Sequence, residues 1–290
     1  MIFLKKLKLS TKETITGLIF ISPWLIGFII FTVYPLIQSF WFSFNTVRPT
    51  AEGLMITFVG LDNYKNLFLG DVTFSDILIN YSLQIIVYVP VIIVFSLFVA
   101  LLLNQKIKGQ SFFRTVFFLP VIITSGAIMK TLLEQGATTF EGLTKIASNP
   151  LLRENLPPVL FSLLEFLLNS FIMILWFSGV QILIFLAGLQ KLDKSMYEAA
   201  KIDGASKWQL LWKLTLPILT PLITVNIIYT VVTVSTYSIN PVIDKIQTDM
   251  YRPELGLGYA AAESWIYFGV IVLIILVMLL LSVNRKSKVY

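Results

Sequence analysis

The chain predicts an all-α integral membrane protein with six transmembrane helices, and three observations carry that reading. Apolar residues make up 57% of its 290 positions and charged residues only 13%, against about 25% charged for an ordinary soluble domain. Mean hydropathy is +0.84. Charge-free runs fall at residues 14–47, 77–105, 115–129, 166–190, 214–243 and 264–284, and a spanning helix needs about 20 mostly apolar residues. Five runs exceed that length. The third reaches it when Arg114 and Lys130 snorkel towards opposite interfaces.

The termini and loops follow from charge. With the N-terminus inside, Lys5, Lys6, Lys8, Lys12, Lys106, Lys108, Arg114, Lys191, Lys194, Lys201, Lys207, Lys213, Arg285, Lys286 and Lys288 all lie inside. That is fifteen of the 22 basic residues, accompanied by only four of the 16 acids. The excess of Lys and Arg in short loops therefore places both termini on the cytoplasmic side of the cell membrane. The net charge of +6 reflects this topology and contact with anionic lipid, and requires no nucleic acid. The first apolar run is longer than the core of a cleaved signal peptide, so it stays as an anchor.

In order along the chain, residues 1–13 form a basic lead-in, and the first span carries Pro23, Gly27 and Pro35, read as kinks. Outside, between Asn45 and Asp76, Phe58-Val59-Gly60-Leu61-Asp62-Asn63-Tyr64 reads as a glycine turn into a short interfacial helix. The second span, Ile77 to Gln105, is followed by the inner loop Lys106 to Arg114. Beyond Lys130, the glycines and prolines up to Pro157-Pro158 predict an outer cap of short helices. The fourth span runs from Phe166 to Gln190 and the fifth from Ile218 to about Asn240. An outer loop then carries Asp244 to Glu263 before the sixth span, which ends at Asn284. Residues 14–284 thus read as a single transmembrane domain, followed by a cytoplasmic tail, 285–290.

The segment between the fourth and fifth spans, 191–217, has an internal plan. Glu198-Ala199-Ala200 starts a helix, Asp203-Gly204 makes a turn, Ala205 to Leu214 can form a second helix, and Pro217 ends it. A compact helix-turn-helix at a membrane surface is a docking element.

Absences narrow the chemistry. Neither cysteine nor histidine occurs, which removes disulfides and thiol chemistry and leaves no transition-metal site expected. No glycine-rich loop ends in Gly-Lys-Ser or Gly-Lys-Thr, so the chain does not hydrolyse nucleotide itself. A secondary carrier driven by protons places titratable groups in its spans, and the six charge-free runs hold none. Coupling energy must come from outside the chain. The spans do carry neutral polar stripes. Asn226, Tyr229, Thr230, Thr233 and Tyr237 share one face of the fifth, and Asn80, Gln84 and Tyr88 share one face of the second. Such a stripe faces protein or water, either as interhelical hydrogen bonds or as the wall of a substrate pathway where rings stack on sugars and amides meet hydroxyls. Trp176 and Met173 on the fourth span read as packing.

The stretch Glu198 to Pro217 closely resembles the conserved cytoplasmic loop of membrane permeases in binding-protein-dependent ABC importers. That pattern is Glu-Ala-Ala, three residues, Gly, nine residues, Ile, one residue, Leu-Pro. It is met here by Glu198-Ala199-Ala200, Gly204, Leu214 in place of Ile, and Leu216-Pro217. The carbohydrate-permease version adds Asp203-Gly204-Ala205 and a Phe that is Leu211 here. Pro23-Trp24, Tyr34-Pro35, Gly60-Leu61-Asp62-Asn63-Tyr64, Phe113-Arg114 and Phe118-Leu119-Pro120 extend the resemblance to the maltose-type subfamily.

The resemblance implies a type I ABC importer permease that binds no cofactor of its own. In that family two ATP-binding subunits carry ATP and Mg, a second similar permease completes the pathway, and an extracytoplasmic sugar-binding protein delivers substrate. The loop forms coupling helices that insert into the ATPase, with alternating access driven from there. Glu198 is expected in a helix first turn at the positive dipole end, Gly204 at the reversal, and Leu210, Leu211 and Leu214 on an anchoring apolar face. The implied cargo is a carbohydrate, with glycerol phosphate or another polyol as the alternative.

Overall fold

A computed structural model describes residues 9–105, 112, 115–116, 131, 142, 145–146, 149–237 and 239–283. The third run, 115–129, lies outside them except for its first two residues. So do the inner loop at 106–114 apart from residue 112, most of the outer cap before 149, and the tail at 285–290. The described residues hold five helices long and apolar enough to span, Glu13–Phe42, Val72–Leu103, Phe171–Gln190, Lys207–Ser235 and Gly256–Ser282. They divide between two compact units. One comprises Met1–Ser75 and Lys245–Ile266, the other Asp76–Asp244 and Tyr267–Tyr290.

In the first unit, α1 (Leu9–Phe28) passes through a wide π turn, Ile29–Val33, into α2 (Tyr34–Phe42). Pro35 explains the π turn. It has no N–H to give, and its ring would strike the carbonyl four residues back. The Tyr34 N–H reaches Ile29 O, five residues back, which widens the coil just ahead of the ring. The helix stops at Phe42, short of the expected run to 47. Instead β1 (Asn45–Thr50) pairs antiparallel with β2 (Gly53–Phe58), from Asn45↔Phe58 to Thr50↔Gly53. This hairpin is an addition to the helical expectation. Thr46, Val47, Ile56 and Thr57 favour extended backbone. The turn then leads through Gly60 into α3 (Asp62–Leu69).

The Gly60 to Tyr64 segment clamps the end of α2. Asn63 Nδ2 donates to Ser43 O at 2.9 Å and Asn45 O at 3.0 Å, and the Tyr64 hydroxyl donates to Ser43 Oγ at 2.7 Å. The N-terminal end of the last helix, α12 (Gly256–Val283), lies directly on β1. A Cβ at Gly258 would sit 1.9 Å from Asn45 O, and one at Gly256 2.6 Å from Val47 O. Only glycine permits that approach.

Charge is buried in this unit. Asp71 caps α4 (Val72–Leu103) by accepting from Phe74 N at 2.8 Å. Lys245 Nζ lies 2.9 Å from Asp71 Oδ2, contacts Asp249, and stands 3.7 Å from Glu263 Oε1. Arg252 approaches Asp249 at 3.3 Å, and the Tyr259 hydroxyl donates to Asp71 Oδ2 at 3.3 Å. Burial pushes the Asp71 carboxyl up, but the Lys245 and Phe74 hydrogen bonds outweigh it and hold the group below its usual range. Burial likewise pulls Lys245 down, and its carboxylate partners more than restore it, leaving it above the usual lysine value. The sixth charge-free run began after Glu263, yet α12 starts at Gly256. An acid therefore does lie on this spanning helix, tolerated because Lys245 supplies its counter-charge.

In the second unit α4 ends at Leu103. Two short helices follow in the cap, α5 (Pro150–Asn155) and α6 (Pro158–Asn169). The expected fourth span from Phe166 is interrupted at Ser170, so α7 covers Phe171–Gln190. Helix α8 (Lys194–Ile202) leads to α9 (Lys207–Gln209), a second π turn at Leu210–Thr215, and α10 (Leu216–Ser235). Then α11 (Pro241–Met250) occupies the expected outer loop. Helices α7 and α10 pack antiparallel. Gln181 donates to Thr230 Oγ1 at 2.9 Å, Phe177 meets Tyr237 edge-on at 4.8 Å, and the missing side chain of Gly188 makes room for Leu219 and Leu222. Tyr81 of α4 donates to Val234 O at 2.8 Å and Tyr88 to Ser170 Oγ at 2.8 Å. Asn240 and Tyr267 both donate to Ser235 O, closing the C-terminal end of α10.

Because the atom in the way is a backbone oxygen, Gly258→Ala is expected to destabilise the chain by at least about 1–3 kcal/mol, the usual cost of overpacking. Thermal unfolding of the purified protein measures it, with Gly269→Ala as the control, since that site has open space around it.

Candidate functional site

The helix-turn-helix anticipated from Glu198 to Pro217 is present, built on different boundaries. Asp193 caps α8 by accepting from Ser195 N at 2.9 Å, and that hydrogen bond holds its carboxyl below the usual range. The helix thus begins at Lys194, and Glu198 sits in its middle rather than its first turn. The N-terminal dipole meets Asp193, and Glu198 is an exposed mid-helix carboxylate beside exposed Ala199.

The reversal is closed by backbone. Ala205 N donates to Ala200 O at 2.9 Å and Gly204 N to Lys201 O at 3.0 Å, a paired motif that satisfies the last carbonyls of a helix. It requires a left-handed residue, and Gly204 has φ +81° with open space around it. Asp203 precedes it as the end cap of α8. Ser206 then starts α9 through a reciprocal cap with Gln209.

Pro217 does not end the second helix. It is the second residue of α10, and helix runs unbroken from Lys207 to Ser235. The physical solution is the one used at Pro35. The Leu216 N–H reaches Leu211 O, five residues back, in a π turn. Here a side chain helps, because Thr215 Oγ1 donates to Leu210 O at 3.1 Å. The Tyr197 hydroxyl, from α8, donates to that same Thr215 oxygen at 2.7 Å. Thr215 thereby ties the first limb of the loop to the base of α10. Leu210 is buried, with Leu211 and Leu214 half-buried, as an anchoring face requires. Outward, the tip exposes Ile202, Trp208 and Trp212.

The polar stripes divide. On α10, Asn226 and Thr230 are fully buried, Thr230 against Gln181 of α7, Thr233 is half-buried and Tyr229 is exposed, whereas Tyr237, expected on the same helical face, lies half-buried beyond the end of the helix, which is capped at Thr236. On α4, Asn80 and Gln84 are exposed, while Tyr88 is half-buried and bonded to Ser170. Gln181 is a buried member that periodicity missed, because it stands alone in the apolar run of α7. Among the described residues Asn226 Oδ1 and Nδ2 and Gln181 Oε1 have no hydrogen-bond partner. Trp176 and Met173, read as packing, are both half-buried.

In the other unit, a cavity of about 710 Å³ is lined by Thr46, Arg48, Asn66, Asp71, Lys245 and Arg252 among others. Three carboxylates, Asp71, Asp249 and Glu263, approach within 4.8 Å of one another beside it. The Lys245 ammonium stands among them and acts as their cation.

The sequence pattern of the binding-protein-dependent transport system inner membrane component matches residues 67–285. This chain belongs to that family. It is the permease component of an ABC transporter, a transport subunit rather than an enzyme. It is 32% identical over 310 residues to the probable ABC transporter permease protein YesP of Bacillus subtilis, covering 98% of this chain and 97% of that one. It is 33% identical to the arabinooligosaccharides transport system permease protein AraP of Halalkalibacterium halodurans, covering 72% of this chain and 65% of that one. A crystal structure of a bacterial ABC transporter involved in import of the acidic polysaccharide alginate shares the fold at TM-score 0.60 and 20% identity, covering 96% and 98% of the two chains.

Thr215→Val keeps the shape and removes the hydroxyl. The variant permease is expected to lose about 1–3 kcal/mol, the cost of leaving buried partners unpaired. Thermal unfolding in nanodiscs measures it, and Tyr197→Phe should account for only part of the loss.

Proposed function

We propose that this permease is one half of the membrane pathway of a carbohydrate importer, driven through the loop at 191–217. Two ATP-binding subunits carry ATP and Mg and close on each other. The second half of the pathway is another permease, and a binding protein delivers sugar from outside. Both termini and the loop face the cytoplasm, a reading that the distribution of Lys and Arg supports. Residues 14–284 act as a single transporting domain between the lead-in and the tail. Relatives such as the arabinooligosaccharide permease support an oligosaccharide cargo. The apolar runs that carry the polar stripes, 77–105 and 214–243, contain no Lys or Arg, which favours a neutral sugar over a phosphorylated polyol.

The observation that carries this reading is the construction of the loop. Glu198, Ala199 and Ala200 stand on a helix whose end is locked at Asp203, Gly204 and Ala205, and whose flank is bonded through Tyr197 to the base of a spanning helix. Leu214, Leu216 and Pro217 continue that base into the membrane. A push on the exposed limb therefore reaches α10 without being absorbed by a loose joint. Asn80, Gln84 and Tyr88 on α4, Asn226, Tyr229 and Thr233 on α10 and Tyr237 just beyond it line the route of the sugar through the cycle. An amide facing hydrocarbon is costly, so the exposed Asn80 and Gln84 turn towards the pathway and its second permease.

Gly204→Val places a β-branched residue at positive φ. It should abolish ATP-dependent sugar uptake while the variant still reaches the membrane. Transport at the wild-type rate by a Gly204→Val complex that still copurifies with its ATPase would falsify the coupling role. Gln84→Ala and Tyr229→Ala are expected to change uptake rate or sugar preference with assembly intact. An unchanged profile in both would reduce the stripes to helix packing.

A further inference from the structure

The cavity of the first unit takes no part in coupling, yet its wall has the composition of a ligand site. Thr46 and Arg48 of β1, Asn66 of α3, Thr73 in the first turn of α4, and Arg252 and Glu254 between α11 and α12 converge on it. Its volume of about 710 Å³ lies within the range of about 300–1,000 Å³ that small-molecule sites occupy. Asp71 also lines it and holds both Lys245, at 2.9 Å, and Tyr259, at 3.3 Å. That part of the wall is fixed by its own hydrogen bonds.

The chemistry of the wall sets three classes of ligand aside. Leu255 is its one aliphatic side chain, so a hydrocarbon ligand would gain little burial there. Arg48, Lys245 and Arg252 stand against Asp71 and Glu254 in the wall, and against Asp249 and Glu263, which adjoin Lys245. Three bases against four acids offer a phosphate no net attraction. The place of a metal ion among the carboxylates is held by the Lys245 ammonium. What the wall has in surplus is hydrogen bonding by groups with no other task. The side chains of Thr46, Asn66, Thr73 and Glu254 make no hydrogen bond among the described residues. Arg48 donates through Nη2 to Glu254 O at 2.7 Å, which orients it, and its guanidinium keeps further N–H donors. A sugar hydroxyl both donates and accepts. Arg48 donates, the Glu254 carboxylate accepts, and the threonine hydroxyls and the Asn66 amide do either.

We propose that this cavity binds a neutral saccharide on the outer side of the membrane, as a reception site for cargo before it enters the spans. The inference rests on the carbohydrate cargo and on the outward placement of residues 45–76 and 244–263 in the proposed function. It adds a site separate from the polar stripes, which belong to the other unit. Asp71 and Lys245 then serve the cargo indirectly, by holding the wall of its site in place.

The test is equilibrium dialysis of the assembled transporter in nanodiscs, without its binding protein, against radiolabelled arabinotriose, maltotriose and raffinose. At least one should bind, and excess inorganic phosphate or calcium chloride should not compete. Asn66→Ala and Glu254→Gln each alter a side chain with no internal partner, so the fold is kept. Each should weaken binding by roughly three- to tenfold, the worth of one hydrogen bond. Thr73→Trp fills the cavity and should abolish binding. Binding of none of the three sugars overturns the proposal. So does wild-type affinity in all three variants, since the sugar then sits elsewhere, and so does competition by phosphate or calcium, since the site then takes ions. ATP-dependent uptake of the same sugars, with the binding protein present, separates the two readings. Uptake combined with unchanged binding in the variants removes the outer site and leaves the carbohydrate importer, whereas the absence of both uptake and binding removes the two together.

Discussion

The hydrocarbon core of a bilayer contains no water to repair a broken hydrogen bond, and most of this architecture answers that constraint. Proline is where the constraint presses hardest, because it removes a donor inside a helix. Pro35 and Pro217 are each met by a π turn immediately ahead, and at Pro217 the hydroxyl of Thr215 takes up the carbonyl of Leu210. The same hydroxyl accepts from Tyr197. A local repair of the backbone has thus become the joint between the loop and the span.

Charge obeys the same rule. Glu263 is fully buried on a helix that otherwise crosses the apolar layer, and it is held beside Lys245, Asp249 and Asp71 rather than left alone. This arrangement ties the start of α4, the end of α11 and the start of α12 together, alongside the close contact of Gly256 and Gly258 with β1. Such a cluster is sensitive to the loss of any member, because each leaves an uncompensated charge behind.

Much of this was legible in the sequence, and the misses have physical causes. Long apolar runs announced the spans, and Glu-Ala-Ala with Gly204 announced the loop. Span edges were less secure because charge-free windows stop at the first ionised residue. Asp76 and Glu263 nevertheless lie within helices, as hydrogen-bonded backbone continues past a charge that has a partner or water. The hairpin was hidden because Arg48 and Pro49 interrupt the alternation of β1. Glu198 was placed in a first turn because Asp193, the true cap, stands five residues earlier. Gln181 could have been found, since a lone amide in the middle of an apolar helix is itself a signal. Which members of a stripe are buried depended on how α7 and α10 dock, and periodicity along one helix carries no information about its neighbour.

The wide turn at Leu210–Thr215 also sets rotational phase. Successive residues of an α-helix are separated by about 100° around the axis, so holding one extra residue in a turn rotates everything downstream by nearly a third of a revolution. Thr230 meets Gln181 only with that offset in place. The azimuth of the polar stripe on α10 is therefore decided more than ten residues earlier, at the membrane surface. A change that returned the π turn to α-helical register would turn the stripe away from α7 while leaving every residue of the span unaltered.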